Sequence, residues 1–375
     1  MKNDVYFRLA SFLDNLPGGY PSTESGIELR ILRRLFTPEE AEMTLHLSVL
    51  PEDVKVIAHR TKLSVEETST RLEELYQKGL ILKIKREGRP DLYMALQFAI
   101  GIWEYHVNDL DPELARDVGE YIPTLLNTET WKKAPQLRTI PVNESIDSRL
   151  EILPYENVEE LVKAQDKFLV APCICRKEKK LLDEGCEKPA ENCLVFGRGA
   201  DLYHDRGIGR YIDQEEALDI LKKADDAGLV LQPSNSKDIV NICCCCGCCC
   251  GVLRTIKQHP KPATIVSSPF ICVAEPETCI GCGVCVQRCQ MDALSLEEDK
   301  VRLDLDRCIG CGVCVTTCLT DSLHLVRKPE SEQRDVPRTF RDTMVHLLKV
   351  RGKLKPSWVA NTVLKSKIDR IKSRY

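Results

Sequence analysis

The chain has 375 residues, of which 43% are hydrophobic and 29% charged, and its net charge is −4. That is ordinary for a soluble globular protein and gives the molecule as a whole no bias toward nucleic acid. The length makes two to four domains. The anomaly is 20 cysteines: four between 173 and 193, seven between 243 and 250, one at 272 and eight between 279 and 318.

The first residues carry no long apolar stretch and no small-residue cleavage site, and no run of about 18 apolar residues occurs, so neither a signal peptide nor a spanning helix is expected. The protein reads as cytoplasmic, where disulfide frameworks are disfavoured and dense cysteines point to metal or redox chemistry. So many thiolates also imply an anaerobic or strongly reducing host, because thiolates oxidise in air.

In chain order, residues 1–39 read as N-terminal helices, with Ile27, Leu29, Ile31, Leu32, Leu35 and Phe36 supplying apolar positions. Over 40–98, Pro51 opens a helix to Arg60, Ser64 caps a second helix with Glu67 at the capping-box position, and Gly79 ends it. A hairpin over 80–95 follows, turning at Glu87-Gly-Arg-Pro90. Two helices and a β-hairpin resemble a winged helix-turn-helix. Residues 99–165 form a helical, then irregular connector with Trp103, Tyr105 and Tyr121 in its core and prolines at 135, 141 and 154. Residues 166–259 form a Cys-rich α/β middle domain with an amphipathic helix at 214–227, ended by Gly228. Residues 260–328 hold an internal repeat, and 329–375 form a basic helical tail. The fold class is therefore α+β multidomain, with a mostly helical N-terminal half.

The repeat carries the clearest chemistry. Cys279-Ile-Gly-Cys282-Gly-Val-Cys285-Val-Gln-Arg-Cys289 recurs as Cys308-Ile-Gly-Cys311-Gly-Val-Cys314-Val-Thr-Thr-Cys318, every cysteine offset by 29 residues. This C-x₂-C-x₂-C-x₃-C spacing resembles the bacterial-type two-cluster [4Fe–4S] ferredoxin domain, over about residues 271–327. Closely spaced thiolates wrap one cubane. Gly281, Gly283, Gly310 and Gly312 let the backbone approach with positive φ and aim amide N–H groups at sulfur. The fourth cysteine is expected to open a short helix directed at the other cluster. Cluster I then takes Cys279, Cys282, Cys285 and Cys318, and cluster II takes Cys308, Cys311, Cys314 and Cys289. Gln290 and Leu319 stand where the family usually has proline, which bears on helix entry and potential but not on loading. A Cys₄ zinc pair is the competing reading, although zinc sites seldom repeat this spacing.

The upstream cysteines are less determinate. Cys173, Cys175, Cys186 and Cys193 could hold a third iron–sulfur cluster or a zinc ion, with Arg176, Lys177, Lys179 and Lys180 offsetting negative charge. In the run Cys243-Cys-Cys-Cys-Gly-Cys-Cys-Cys250, neighbours on a strand face opposite ways, and on a helix only positions such as Cys243, Cys246 and Cys250 share a face. Those three are the candidate additional ligands, and the other thiols of the run pack as small hydrophobes. The whole chain also resembles uncharacterised 4Fe–4S ferredoxin-domain proteins of anaerobic bacteria with a winged-helix-like start. That likeness is carried by Gly101-Ile-Trp-Glu-Tyr, Ala171-Pro-Cys-Ile-Cys-Arg, Leu231-Gln-Pro-Ser-Asn-Ser and the cysteine run, and it implies iron–sulfur binding and little more.

These observations lead to an electron-transfer protein or redox-complex subunit with redox proteins as donor and acceptor. The first alternative is an oxidoreductase whose 166–259 domain holds an open-coordinate cluster acting on a thiol, disulfide or small substrate. The second is a redox-sensing winged-helix regulator. Residues 40–98 hold 9 Lys+Arg against 10 Asp+Glu, and Glu66 and Glu67 open the would-be recognition helix, so protein docking is preferred to nucleic acid. The segment 332–375 holds 12 Lys+Arg and 4 Asp+Glu. In it, Leu364, Ile368, Ile371 and Tyr375 share a helical face flanked by Lys365, Lys367, Arg370, Lys372 and Arg374. Packing on its own protein is expected first, an acidic partner second and a peripheral membrane contact third. No nucleotide motif is credible, since Gly197-Arg-Gly199 lacks the third glycine at the right spacing.

Overall fold

The structure is a computed structural model that describes residues 4–146 and 150–373. Met1–Asn3, read above for a leader, and Arg374 and Tyr375 of the expected tail helix lie outside the described residues. The chain mixes helix and sheet and forms two compact units, one joining the segment up to Leu125 with that from Met344, the other spanning Leu126–Thr343.

In the first unit the leading segment is two helices, Val5–Asp14 and Ile27–Leu35. Pro17 and the left-handed Gly19 (φ +76°) separate them. Helices Val54–Thr61 and Val65–Gln77 follow, the second capped by Ser64 Oγ accepting from the Glu67 N–H at 3.0 Å. Strands Ile81–Ile84 and Leu92–Ala95 form the expected hairpin, and Glu52–Asp53 adds a short third strand beside Leu92–Ala95. The aromatic core packs Tyr20 against Phe98 and Tyr121, both with ring centroids at 5.1 Å. Trp103 is buried with them.

The tail helix, Pro356–Lys372, returns to this unit. It packs through buried Ser366 and Asp369, and Asp369 accepts from half-buried Arg60 at 2.6 Å while Arg60 also grips Glu52. Leu364, Ile368 and Ile371, expected on one apolar face, are exposed. The polar anchor, rather than hydrophobic periodicity, orients the helix.

The second unit contains a five-stranded sheet that sequence reading missed, built by Phe168–Pro172, Glu191–Phe196, Arg210–Ile212, Val230–Pro233 and Asn241–Cys245. The spatial order is 210–212, 168–172, 191–196, 241–245, 230–233, antiparallel throughout. The middle segment is therefore α+β rather than α/β. Helix Gln214–Asp226 ends near the left-handed Gly228 as expected. Its Ala217, Leu221 and Ala224 pack with Leu194, Leu231 and Ile242 in one core. Val313 of the second cysteine repeat joins that same core.

The repeat folds as two ribbons, Phe270–Ala274 with Leu323–Arg327 and Leu294–Glu297 with Lys300–Leu303. Arg288 fastens it to the 214–226 helix. Its guanidinium donates to the Asp225 carboxylate at 2.9 Å, to the Asp225 carbonyl at 2.7 Å and to the Val313 carbonyl at 2.9 Å.

Candidate metal centres

The repeat cysteines surround two separate cavities. One is lined by Cys279, Cys282, Cys285 and Cys318, the other by Cys289, Cys308, Cys311 and Cys314. Each has about 380 Å³ of atom-free space, part of it open to solvent. Each cavity thus draws three cysteines from one repeat and the fourth from the other.

Glycine makes the loops possible. Gly281, Gly283, Gly310 and Gly312 have φ of +72°, +74°, +67° and +74°. A Cβ on Gly310 would lie 2.0 Å from the Phe270 carbonyl oxygen, so a side chain is excluded by close backbone approach as well as by φ. The Gly281 N–H donates to Cys279 Sγ at 3.4 Å and the Ala293 N–H to Cys289 Sγ at 3.2 Å. Such bonds stabilise thiolate over thiol. The short helix lies before the fourth cysteine, not after it: Val284–Arg288 ends where Cys289 turns into extended backbone.

The two cavities differ in exposure. Cys282 is exposed, and Ile280 and Leu319 on the same cavity wall are 62% and 86% accessible. Cys308 and Cys314 are buried, and burial pushes the Cys308 thiol up. Cys272, unassigned from sequence, is buried on the second cavity's wall with its sulfur 3.9 Å from Cys314. No spacing signal marks it, because it reaches the site from a flanking strand.

Upstream, ten of the eleven cysteines sort into two sets that sequence reading had joined, and Cys244 belongs to neither. The run is a strand through Cys245, a turn, and then Cys250 as the N-cap of helix Gly251–Lys257. Cys243 pairs in register with Cys193 on the neighbouring strand, so both side chains share a sheet face with Cys245, two residues on. Cys193, Cys243, Cys245, Cys250, Cys175 and Cys173 follow one another as neighbouring buried or half-buried thiols, each near enough to shift the titration of the next. The neighbouring Cys175 and Cys245 draw the Cys250 thiol down to about 5.

Cys186 and Cys246 do not join this chain of sulfurs. They meet Cys248 and Cys249 instead, with all four sulfurs within 4.8 Å of one another. The helical face proposed for Cys243, Cys246 and Cys250 does not form, since the strand ends before Cys246. Cys244 points away into the apolar core.

Arg176 lies between the two sets, 5% exposed. Its guanidinium donates to the Pro189 carbonyl at 2.9 Å and the Cys244 carbonyl at 3.2 Å, and it lies near Cys186 and Cys246. Burial opposes its charge, and the surrounding cysteines Cys173, Cys246 and Cys245 more than offset that cost and raise its pKa. Lys179, also expected to offset charge here, pairs with Glu184.

Gln290 joins the repeat to the cysteine run. Its side-chain oxygen accepts from the Gly247 N–H at 2.8 Å, and its main-chain oxygen lies where a Cβ on residue 247 would be, 2.0 Å away. The departure from proline at this position has a structural use, because proline has no side-chain acceptor to offer.

Comparison with known proteins agrees for the repeat. Residues 278–322 match the family model of the 4Fe-4S dicluster domain. Neither a curated protein nor a solved structure matches the chain. The donor set, the glycine-permitted approach and this match together support a ferredoxin-type 4Fe-4S domain with iron–sulfur binding in this segment.

Proposed function

We propose that the chain is an iron–sulfur electron-transfer protein or redox-complex subunit. In this reading Cys279, Cys282, Cys285 and Cys318 hold one [4Fe–4S] cluster, and Cys308, Cys311, Cys314 and Cys289 hold a second. The observation that carries it is the division of the eight cysteines into two four-cysteine cavities with crossed membership. Bound clusters of this kind supply one-electron acceptance and donation.

The protein's own part is position and environment. Cys282, Ile280 and Leu319 make the first set the outward-facing one, with an apolar rim suited to a redox partner. Cys311 and Val313 bring the second set against the core of the five-stranded sheet, and Gln290 leads on to the cysteine run. We assign Cys173, Cys175, Cys193, Cys243, Cys245 and Cys250 to a third, inner iron–sulfur centre. Six neighbouring thiols offer more than the four ligands a closed [4Fe–4S] cluster takes, which favours electron transfer over an open, substrate-reducing centre.

For the 40–98 segment, docking to protein remains the preferred reading. Lys83 of the would-be wing is held by Glu73 at 2.8 Å and Asp91 at 3.2 Å, and Arg60 by Glu52 and Asp369. Cations neutralised inside the unit contribute little to phosphate binding.

The test is a coulometric reductive titration of anaerobically purified full-length protein, followed by EPR. Uptake of two electrons assigned to the repeat clusters, plus signals that survive Cys175→Ser, supports the proposal. A protein that takes up no electrons and contains zinc without sulfide refutes it.

A further inference from the structure

Four cysteines outside the ferredoxin repeat have a geometry unlike either of its cavities. Cys186 and Cys246 sulfurs are 3.9 Å apart, Cys186 and Cys249 3.6 Å, and Cys248 and Cys249 3.7 Å. All four lie within 4.8 Å of one another. Four thiolates about one ion with metal–sulfur bonds of about 2.3 Å form a tetrahedron with edges of about 3.8 Å. A cubane's four thiolates bind four different irons and must surround the cluster, as the cysteines of the two repeat cavities do. The spacing here fits one ion and leaves no room for a cluster.

The chain builds this quartet from distant parts. Cys246, Cys248 and Cys249 occupy the tight turn after the 241–245 strand, closed by the Cys250 N–H donating to the Cys246 carbonyl at 3.1 Å. Cys186 comes from the loop that follows helix Ile174–Leu181, 60 residues earlier. Cys246 and Cys249 are buried, Cys186 half-buried and Cys248 exposed. Arg176 supplies a buried positive charge against Cys186, which suits a tetrathiolate site carrying net negative charge. Gln290 fixes the turn at Gly247, in the middle of the ligand triplet.

We propose that Cys186, Cys246, Cys248 and Cys249 form a closed tetrathiolate site for a single divalent thiophilic ion, zinc or iron, distinct from every iron–sulfur ligand set in the chain. A closed site of four protein ligands leaves no position for substrate. Its role is to tie the 182–188 loop to the cysteine run beneath the ferredoxin module. The inference stands whether or not the inner six-cysteine set holds a cluster.

The test compares full-length wild type with Cys248→Ser, at an exposed position, and Cys249→Ser, at a buried one. All are purified anaerobically from cells supplied with both zinc and iron, with zinc, iron and acid-labile sulfide counted. Loss of about one metal equivalent per chain with sulfide unchanged is expected in both variants. Lost zinc identifies a zinc site, and lost iron accompanied by loss of a mononuclear ferric–thiolate EPR signal in the oxidised protein identifies an iron site. Loss of iron and sulfide in equal amounts, or no loss of metal, overturns the proposal. X-ray absorption or EPR on the wild type, according to whichever metal exceeds the sulfide count, gives a reading independent of variant folding. At the zinc edge four sulfur neighbours at about 2.3 Å and no nearby metal are expected, and a zinc–metal distance refutes the assignment; where the surplus metal is iron, the wild type's mononuclear ferric–thiolate EPR signal is the reading, and its absence refutes it.

Discussion

Replacing Gly247 with alanine tests the junction between the ferredoxin module and the cysteine run. The added Cβ would meet the Gln290 main-chain oxygen at 2.0 Å, where ordinary contact begins at 3.4 Å. That oxygen belongs to backbone held by Cys289 on one side and by buried Met291 on the other, so rotation of a side chain cannot relieve the clash. Overpacking of this kind costs about 1–3 kcal/mol. The shift also breaks the buried bond from the Gly247 N–H to Gln290 Oε1, worth about 1–3 kcal/mol when the donor is left unpaired. Together Gly247→Ala should cost about 3–5 kcal/mol, or on the order of 10 °C in apparent Tm for a unit of this size. Gln290→Ala removes only the hydrogen bond and some packing, so it should cost about half as much or less. Melting of the cluster-loaded proteins at one scan rate compares the two. EPR should change for the Cys308-Cys311-Cys314-Cys289 set and not for the outer one. If Gly247→Ala melts with the wild type, or no lower than Gln290→Ala, the packing argument is wrong.

Other expectations follow from particular contacts. Arg60→Ala strands the buried carboxylate of Glu52 and frees the tail helix from Asp369, and should destabilise the first unit by about 3–5 kcal/mol, read by denaturant melts. Burial pushes the Glu52 carboxyl up, but hydrogen bonds from Arg60, Ser366 and Ser48 together with the Arg60 charge outweigh it and hold the group below its ordinary value. Its stabilising contribution is therefore present above the unfolded-state pKa and fades as pH falls through the lower folded one, so Glu52→Gln should flatten the acid limb of stability against pH. Burial pushes Glu178 up to about 7 despite Arg254 at 3.2 Å. That contribution is present below about pH 4.5 and lost as pH rises toward 7, so Glu178→Gln should gain stability at pH 8 relative to pH 5. The exposed Cys282 makes the outer set the first to lose iron, so ferricyanide with a chelator should release about four irons quickly and the rest slowly. Release in one phase would contradict that ordering.

The ferredoxin repeat was readable because its chemistry dictates local spacing: three thiolates two residues apart and glycines between them leave a pattern that needs no tertiary context. The Ser64 cap and the Gly79 and Gly228 terminations were readable for the same local reason. The five-stranded sheet was not. Cysteine is a weak strand signal, and the strand 241–245 carries three of them in five residues, fully hidden from a period-two test by burial of both faces. Cys186 illustrates a different limit. Sequence proximity put it with Cys173 and Cys175, but helix Ile174–Leu181 carries the chain away and the following loop delivers Cys186 to the far turn of the run. Ligand sets assembled by long-range contacts are fixed by strand register, here Cys193 opposite Cys243, and register is not written in spacing. The tail helix shows a third case: its periodic apolar face was legible, but the Arg60–Asp369 pair, and not that face, makes the contact, and the face is left outward.

The central claim is that two [4Fe–4S] clusters are held by crossed ligand sets, and counting iron and sulfide in serine variants of Cys318, Cys282 and Cys311 tests it most directly. If Cys318 serves the outer set, Cys318→Ser and Cys282→Ser should perturb the same EPR signal and each lose up to about four irons and four sulfides, leaving the other cluster's signal intact. If instead Cys318→Ser perturbs the signal that Cys311→Ser removes, or neither variant loses sulfide, the assignment fails.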